Sequence, residues 1–249
     1  MEKETLLADP ALYVIDAMPL LYRGHFVFLK KPRLTTAGIN TSALTAFAGS
    51  VLQLIETRQP THIALVFDSS TPTFRHELFP DYKAQRQKMP EDLAAAIPMA
   101  LELAEALRIP TLRVDGFEAD DLMGTLARQA GEAGMTVFLV TPDKDIAQLV
   151  NAGTFLYRPG KMADAAEIYG RDEVCRHWGV REPGQMIDLL AMAGDASDNI
   201  PGIRGVGEKT AQVLLSQYGS LDEVLAHAAE LKGKLADKVA ASAAAARMS

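Results

Sequence analysis

The sequence predicts an α/β protein with a parallel, doubly wound sheet that carries helices on both faces, followed by an all-helical region. Short apolar strands alternate with helical segments through the first part of the chain, as in βαβ proteins. The strand at 61–68 is apolar without interruption, which is typical of a strand covered on both faces. Strand signals end at about residue 172. We therefore expect an α/β domain at 12–171 and a helical domain at 172–249.

Each element of the first half follows from its pattern of apolar residues. Two strands end on an aspartate, and the helix after the basic loop places its apolar residues on one face. The long segment at 69–92 is polar, basic and rich in turns, which favours a functional loop. The predicted elements are a strand at 12–16, a short helix from 19, a basic loop at 30–41, a helix at 41–57, a strand at 61–68, the segment at 69–92, and a helix at 93–107 that Pro98 can kink.

The second half continues the alternation and then becomes helical. Gly131 and Gly134 are expected to end the helix that begins at the stretch Gly116-Phe117-Glu118-Ala119-Asp120-Asp121 (GFEADD). The predicted elements are strands at 110–114, 136–140 and 154–157, and helices from GFEADD to 130, at 145–150, 172–178, 183–193, 208–217 and 221–231, and in the alanine-rich tail at 236–248.

Composition excludes several classes of protein. Hydrophobic residues make up 48% and charged residues 23%, which are ordinary values for a globular protein. The single cysteine, Cys175, excludes internal disulfides and cysteine-rich zinc sites. No apolar run approaches the roughly 20 residues that span a bilayer, and the N-terminus lacks the pattern of a signal peptide. We expect a cytoplasmic protein that does not contact membranes.

The formal net charge of −7 argues at first against a polyanionic partner. The nine carboxylates that are named below carry nine negative charges, which is more than the net charge of −7. If they gather at a metal site, the rest of the chain is mildly basic, so the distribution of charge is a better guide than its sum.

The GFEADD stretch places Glu118, Asp120 and Asp121 at the head of a predicted helix. Acidic residues stabilise a helix N-terminus through the helix dipole, so a solvated helix start explains them. Three carboxylates this close also repel one another, which a bound cation would relieve. The stretch alone leaves both interpretations open.

Further aspartates follow the predicted strands. Asp16, Asp68, and the pair Asp143 and Asp145 lie at or within a few residues of three strand ends, and any one of them could be a turn or cap residue. In open α/β sheets the carboxyl ends of the strands form the ligand crevice. Because GFEADD also follows a strand, we expect all of these carboxylates at one edge.

The helical region adds Asp195 and Asp198, which are three residues apart and so share a face of a helical turn. Oxygen ligands in this number, with no histidine or thiol set nearby, favour Mg²⁺ or Mn²⁺ over zinc. Two such cations can activate a water and stabilise both oxygens of an in-line phosphoryl displacement.

A glycine-rich turn follows directly. Gly202, Gly205 and Gly207 allow close backbone approach, and the turn leads into a helix N-terminus, with Lys209 in its first turn. Such a turn binds phosphate without reading a base. A tight connection between helices is the alternative. The spacing resembles a helix–hairpin–helix at about 186–220.

The segment at 74–90 contains Arg75, Tyr82, Lys83 and Arg86. A solvated loop explains these residues, but Lys83 and Arg86, three apart on a helical turn, could both face a phosphate. Tyr82 could stack on a base or pack in the core. Near the first aspartate, Tyr22, His25 and Phe26 offer rings for a base, although core packing explains Tyr22 and Phe26 equally well.

Taken in order, the runs YVIDA, THIALVFDSS, FRHELFPDYKAQR, GFEADDLMGTLA, VTPDKDIAQLV and LLAMAGDASDNIPGIRGVGEKTAQVLL resemble the 5′ nuclease domain of bacterial DNA polymerase I, within the flap endonuclease family. The resemblance implies a resolvase-like or PIN-like sheet and a duplex-binding hairpin that can hold K⁺. It implies that the nine carboxylates hold two Mg²⁺ ions, for which Mn²⁺ can substitute. These metal residues are Asp16, Asp68, Glu118, Asp120, Asp121, Asp143, Asp145, Asp195 and Asp198.

We expect catalytic roles for Lys83, Arg86, Asp120 and Asp121. The expected DNA-binding residues are Arg23, Arg75, Tyr82, Lys83, Arg86, Gly202, Gly205, Gly207 and Lys209.

The sequence thus predicts a 5′-3′ exonuclease and 5′-flap endonuclease of DNA replication and repair. Its expected partner is DNA with a 5′ single-strand/duplex junction. We expect a monomer, and the sequence leaves open whether the nuclease stands alone or is linked to a polymerase in the native protein. One alternative is a non-catalytic DNA-junction binder, against which the intact carboxylates argue. Another is a single-strand ribonuclease, against which the duplex-binding hairpin argues.

Overall fold

The computed structural model describes residues 10–160 and 166–249. By their contacts these residues form two compact units, each of which collects segments that are distant in sequence. Of the described residues, unit 1 contains 10–74, 87–142, 153–160 and 166–168, and unit 2 contains 75–86, 143–152 and 169–249. The predicted division of the chain at residues 171 and 172 stays a prediction.

The sheet has six strands in the order β3-β2-β1-β4-β5-β6. The strands are β1 (Ala11–Asp16), β2 (His62–Val66), β3 (Thr111–Leu112), β4 (Thr136–Val140), β5 (Thr154–Arg158) and β6 (Glu167–Tyr169). The four pairs from β3 to β5 are all parallel. Because β1 is central and the chain extends to both sides of it, the sheet is doubly wound, as the sequence predicts.

Helices cover both faces of this sheet. The helices of the first 142 residues are α1 (Ala17–Val27), α2 (Ser42–Arg58), α3 (Phe74–Leu78), α4 (Glu91–Ala106) and α5 (Ala119–Glu132). Tyr13 and Ile15 of β1 belong to one core cluster with side chains of α1, α2 and α4. Val14, which alternates with them, is fully buried on the opposite face, where α5 lies against β1 and β4. Burial on both faces explains the unbroken apolar strands.

Unit 2 is helical. Its helices are α6 (Arg171–Trp178), α7 (Met186–Ala193), α8 (Glu208–Tyr218), α9 (Leu221–Ala226), α10 (Lys234–Ala241) and α11 (Ala243–Met248), with 3₁₀ turns at Asp145–Leu149, Pro183–Gln185 and Ala228–Glu230. α7 packs against α8 and α9 around buried Met192, Leu215 and Val224. In the described part of the chain no helix combines the length and the apolarity that crossing a bilayer requires.

The predicted elements are confirmed with local differences. Strand β6 was not predicted, because three residues give too short a pattern to recognise. The predicted strand at 110–114 has only two paired residues, and the predicted helix at 145–150 is a 3₁₀ turn. Helix α4 runs through Pro98 without ending there.

Candidate active site

Asp16 ends the central strand. Its side chain is only 5% exposed, and the hydroxyl of Thr141 donates a hydrogen bond of 3.0 Å to its Oδ2. The sheet register explains this contact, because Ile15 pairs with Val140, the last residue of β4. The carboxyl ends of β1 and β4 therefore meet at one edge of the sheet, as the sequence predicts.

The second strand end meets the start of α5. Asp68 follows β2, and its Oδ1 accepts a hydrogen bond of 2.9 Å from the backbone N–H of Ala119, the first residue of α5. Glu118, the N-cap residue, is 8% exposed. Its N–H donates to Oδ2 of Asp121 at 2.9 Å, while Asp120 lies in the same first turn. The helix-start interpretation of GFEADD is thus confirmed, since acidic side chains here cap the helix.

Unit 1 therefore holds five of the nine predicted metal ligands on three segments of one sheet edge. Two of these carboxylates are buried, which is costly for a charged group unless an opposite charge or hydrogen bonds compensate. Among residues 10–160 and 166–249, no three His, Cys, Asp or Glu side chains stand as a group able to hold a metal ion. The metal-ligand roles stay predictions.

Unit 2 holds the other four predicted ligands, and Lys144 joins two of them. Its Nζ lies 2.6 Å from Oδ2 of Asp195 and 3.2 Å from Oδ1 of Asp145. Burial, and then the charge of Asp143, raise the pKa of Asp145 to about 6. Burial also acts to raise the pKa of Asp195, but hydrogen bonds from Lys144 and Ser197 outweigh it and hold that pKa at about 2. These bonds favour the ionised form of Asp195.

Asp198 is bound by residues of the segment 81–86. Its carboxylate accepts hydrogen bonds from Arg86 (2.5 Å) and from the hydroxyl of Tyr82 (3.1 Å), and Lys83 Nζ lies 3.7 Å from it. The N–H of Lys83 also donates to the Asp198 carbonyl at 3.0 Å. No helix covers this stretch, since α3 ends at Leu78 and Lys83 has a left-handed φ of 56°, but a turn joins the pair, because the N–H of Arg86 donates to the Lys83 carbonyl at 3.0 Å. The structure thus brings together three of the predicted site residues with Asp198.

The glycine-rich turn joins α7 to α8. A Cβ on Gly202, whose φ is 59°, would lie 2.4 Å from the N atom of Gly194 and 2.7 Å from the O atom of Met192. Gly202 therefore serves close packing inside the turn. Gly207, the N-cap of α8, has no other atoms within 4 Å of such a Cβ, so its backbone borders open space. Two helices joined by a glycine-rich turn are present as predicted, and tight packing explains Gly202, while phosphate binding by this turn stays a prediction.

The remaining predicted DNA-binding residues differ in exposure. Lys209 in α8 is exposed, whereas Arg23 in α1 and Arg75 in α3 are half-buried. Tyr82 is 6% exposed, and its ring lies beneath Lys83 Nζ at 4.7 Å.

His25, one of the rings near the first aspartate, is buried and contacts Asp92 through Nδ1 at 3.2 Å.

Two family models together cover the described chain. Residues 11–179 match the 5′-3′ exonuclease N-terminal resolvase-like domain, and residues 181–249 match the 5′-3′ exonuclease C-terminal SAM fold. The chain belongs to the 5′-3′ exonuclease family. The family and fold class predicted from the motifs are thereby confirmed.

The curated relatives of this 5′-3′ exonuclease chain are longer proteins. It is 41% identical over 233 residues to DNA polymerase I of Treponema pallidum (strain Nichols), covering 92% of this chain and 23% of that protein. It is 40% identical over 236 residues to DNA polymerase I of Synechocystis sp., covering 91% of this chain and 24% of that protein. The chain spans about a quarter of the length of these relatives.

Solved structures share the fold of the 5′-3′ exonuclease chain. T5 5′-exonuclease with bound divalent metal ions (zinc) matches with a TM-score of 0.80 at 23% identity, covering 96% of this chain and 87% of that one. A pseudo-enzyme–product complex of bacteriophage T5 flap endonuclease with DNA and metal ions matches with a TM-score of 0.78 at 22% identity, covering 96% and 86%.

Sequence reasoning missed two residues that contact predicted site residues. Lys144 contacts two acidic side chains, and its position between Asp143 and Asp145 in the sequence was the available signal. Thr141 is fully buried against Asp16, and nothing in the local sequence marks it, because the contact depends on the pairing of β1 with β4.

Proposed function

We propose that this chain hydrolyses phosphodiester bonds of DNA as a 5′-3′ exonuclease and 5′-flap endonuclease, acting near single-strand/duplex junctions. The observation that supports this most is the row of carboxylates at one sheet edge, where Asp16, Asp68 and Glu118 stand on three different segments of unit 1. The match to the 5′-3′ exonuclease family over 11–179 and 181–249 supports a nuclease role for these carboxylates.

We propose that the carboxylates bind two Mg²⁺ ions, with Mn²⁺ as a substitute. The donor chemistry fits, because all of the candidate ligands are carboxylate oxygens and two of them, Asp16 and Glu118, are buried. Such ions would activate water and offset negative charge on the phosphate. The metal-bound T5 5′-exonuclease supports the general proposal. The proposed ligands are Asp16, Asp68, Glu118, Asp120 and Asp121 in unit 1, and Asp143, Asp145, Asp195 and Asp198 in unit 2.

We propose that Lys83 and Arg86 bind the phosphate at which cleavage occurs. Both are cations already directed at an anion, the Asp198 carboxylate, at distances of 3.7 and 2.5 Å. A guanidinium and an ammonium that can exchange one anionic partner for another are suited to hold a phosphate and to offset its charge. Tyr82 supports this pair, because its hydroxyl and ring hold Asp198 and Lys83.

We propose that the turn between α7 and α8 binds the duplex backbone. Gly207 offers an open backbone at the start of α8, and Lys209 lies exposed in the first turn, so amide groups and a cation face outward together. Such contacts position DNA without reading its sequence, which suits an enzyme selective for structure. K⁺ at this turn, a linked polymerase, a monomeric state and a cytoplasmic location stay predictions.

The deciding experiment uses a labelled 5′-flap DNA with Mg²⁺, with and without a chelator. We expect cleavage that the chelator abolishes, and we expect Asp120→Asn to lower the rate by at least about 100-fold. Lys83→Ala is expected to lower the rate strongly while flap binding in Ca²⁺ is largely kept.

Absence of cleavage by the unchanged protein in both Mg²⁺ and Mn²⁺ would refute the enzyme. Specific binding of the flap under those conditions would then favour the non-catalytic junction binder.

A further inference from the structure

Two phenylalanines beside the predicted metal ligands are exposed. Phe74 is 40% exposed and Phe117 is 45% exposed, and their ring centroids are 6.0 Å apart with the planes tilted by 57°. Val114 next to them is 43% exposed. Single exposed apolar residues need no explanation, but adjoining ones mark a surface that binds something. We call Phe74 and Phe117 the aromatic pair.

Hydrogen bonds join the two segments that present the aromatic pair. The N–H of Phe74 donates to the Gly116 carbonyl at 3.3 Å, and the N–H of Gly116 lies 3.3 Å from Ser69 Oγ and 3.2 Å from Thr71 Oγ1. Gly116 makes this turn possible with a φ of 82°. These hydrogen bonds therefore fix the backbone positions of the two segments that carry the exposed rings.

The same two segments carry candidate metal ligands. Asp68 begins one of them and accepts a hydrogen bond from Ala119 at 2.9 Å, while Glu118 directly follows Phe117 in the other. Hydrogen bonds between these segments, and the direct succession of Phe117 and Glu118 in the chain, place the aromatic pair on the same segments as two predicted metal ligands.

The chemistry of the pair selects an occupant. Phenylalanine has no hydrogen-bonding group, so it cannot read a base edge, but it can stack on the face of any base. Inside a duplex, neighbouring base pairs cover both faces of each base, whereas an unpaired base leaves its faces available. We propose that the aromatic pair stacks on an unpaired base of the strand that is cleaved, and thereby selects single-stranded 5′ ends over paired ones.

This inference rests on the proposed function and adds the selection of an unpaired nucleotide to it. Exposed Arg113, on the same segment as Val114 and Phe117, supplies a cation that can contact the phosphate backbone of a nucleic-acid strand. Stacking is tolerant of sequence, as an enzyme selective for junction structure requires.

The test uses a 5′-flap DNA with 2-aminopurine as the first unpaired base, whose fluorescence falls when the base stacks. Binding is measured in Ca²⁺, and cleavage of the same DNA in Mg²⁺. We expect the unchanged protein to quench the fluorescence. Phe117→Ala and Phe74→Ala should remove the quenching and weaken flap binding by about tenfold, with binding of fully paired duplex unchanged. Phe117→Trp should keep the quenching.

Two further variants keep the test decisive. Phe117→Leu retains apolar volume without a π-face, so it should stay folded and lose the quenching. Leu52→Ala, at a side chain of matched exposure (43%) on α2, should change nothing. Unaltered quenching in both alanine variants, or equal loss of flap and duplex binding, would overturn the proposal.

A change in self-association of the protein in the alanine variants, with DNA binding intact, would overturn the proposal as well, because the pair would then be an interface between copies. If the unchanged protein fails to cleave, the proposed function fails. If it cleaves while the alanine variants quench normally, only the stacking inference fails.

Discussion

At the scale of single residues, cations of the chain contact three of the predicted metal ligands. Lys144 contacts Asp145 and Asp195, and Arg86 with Lys83 contacts Asp198. Because unpaired carboxylates at these positions would repel one another, the basic residues stabilise the acidic segments of unit 2.

Lys144→Met should lower the stability of the metal-free protein. The change leaves Asp145 and Asp195 without their shared cation, but Lys144 is 42% exposed, so solvent screens part of the loss. We expect the free energy of unfolding in urea, with chelator present, to fall by about 1–2 kcal/mol. Lys144→Arg should retain most of it. Lys232→Met, at an exposed lysine of the same unit, is the control, and an equal fall there would contradict the role of Lys144.

At the scale of elements, the turn between α7 and α8 depends on one close backbone contact. The N–H of Ile203 donates to the Met192 carbonyl at 2.8 Å, and Gly202 lies directly against Gly194. The two helices of the hairpin are thus joined by backbone atoms that leave no room for a side chain at Gly202.

Gly202→Ala should therefore disrupt the hairpin. The added Cβ would meet backbone atoms at 2.4 and 2.7 Å, and the φ of 59° strains any residue with a Cβ. We expect a loss of about 2–4 kcal/mol in the free energy of unfolding, measured in urea. Gly207→Ala meets no atom within 4 Å and should change stability by less than about 0.5 kcal/mol. Similar losses in the two variants would show that the close contact does not matter.

The elements also show what a sequence can predict. Strand ends that carry Asp16 and Asp68 were predictable, because apolar runs and parallel pairing follow local rules. The contact of Tyr82 with Asp198 was not, since these residues are 116 positions apart and no periodic pattern links them. The left-handed φ of Lys83 and the bond from its N–H to the Asp198 carbonyl were not predictable either, because no local pattern marks them. Contacts distant in sequence thus account for the part of the site that patterns missed.

At the scale of the whole molecule, the formal charge of −7 opposes the binding of DNA. The predicted ligands supply nine negative charges, and five of these belong to the sheet edge of unit 1. Divalent cations bound at such carboxylates would remove most of the repulsion while the exposed cations of the hairpin stay unchanged. Metal binding and DNA binding should therefore be coupled.

DNA affinity should rise when Ca²⁺ replaces the chelator at constant ionic strength. Ca²⁺ takes carboxylate oxygens as ligands, so it can neutralise the acidic groups while DNA binding is measured. We expect the dissociation constant for a 5′-flap DNA, measured by fluorescence anisotropy, to fall at least about fivefold, because coupling energies between binding sites are typically about 1–3 kcal/mol. In chelator, the double variant Asp68→Asn/Asp120→Asn should bind the DNA more tightly than the unchanged protein does, and Ca²⁺ should raise its affinity less.

The control is the double variant Asp172→Asn/Asp222→Asn, which removes the same charge at two exposed acidic residues outside the predicted ligands. If that control reduces the effect of Ca²⁺ equally, the coupling comes from net charge alone and the predicted ligands have no special role.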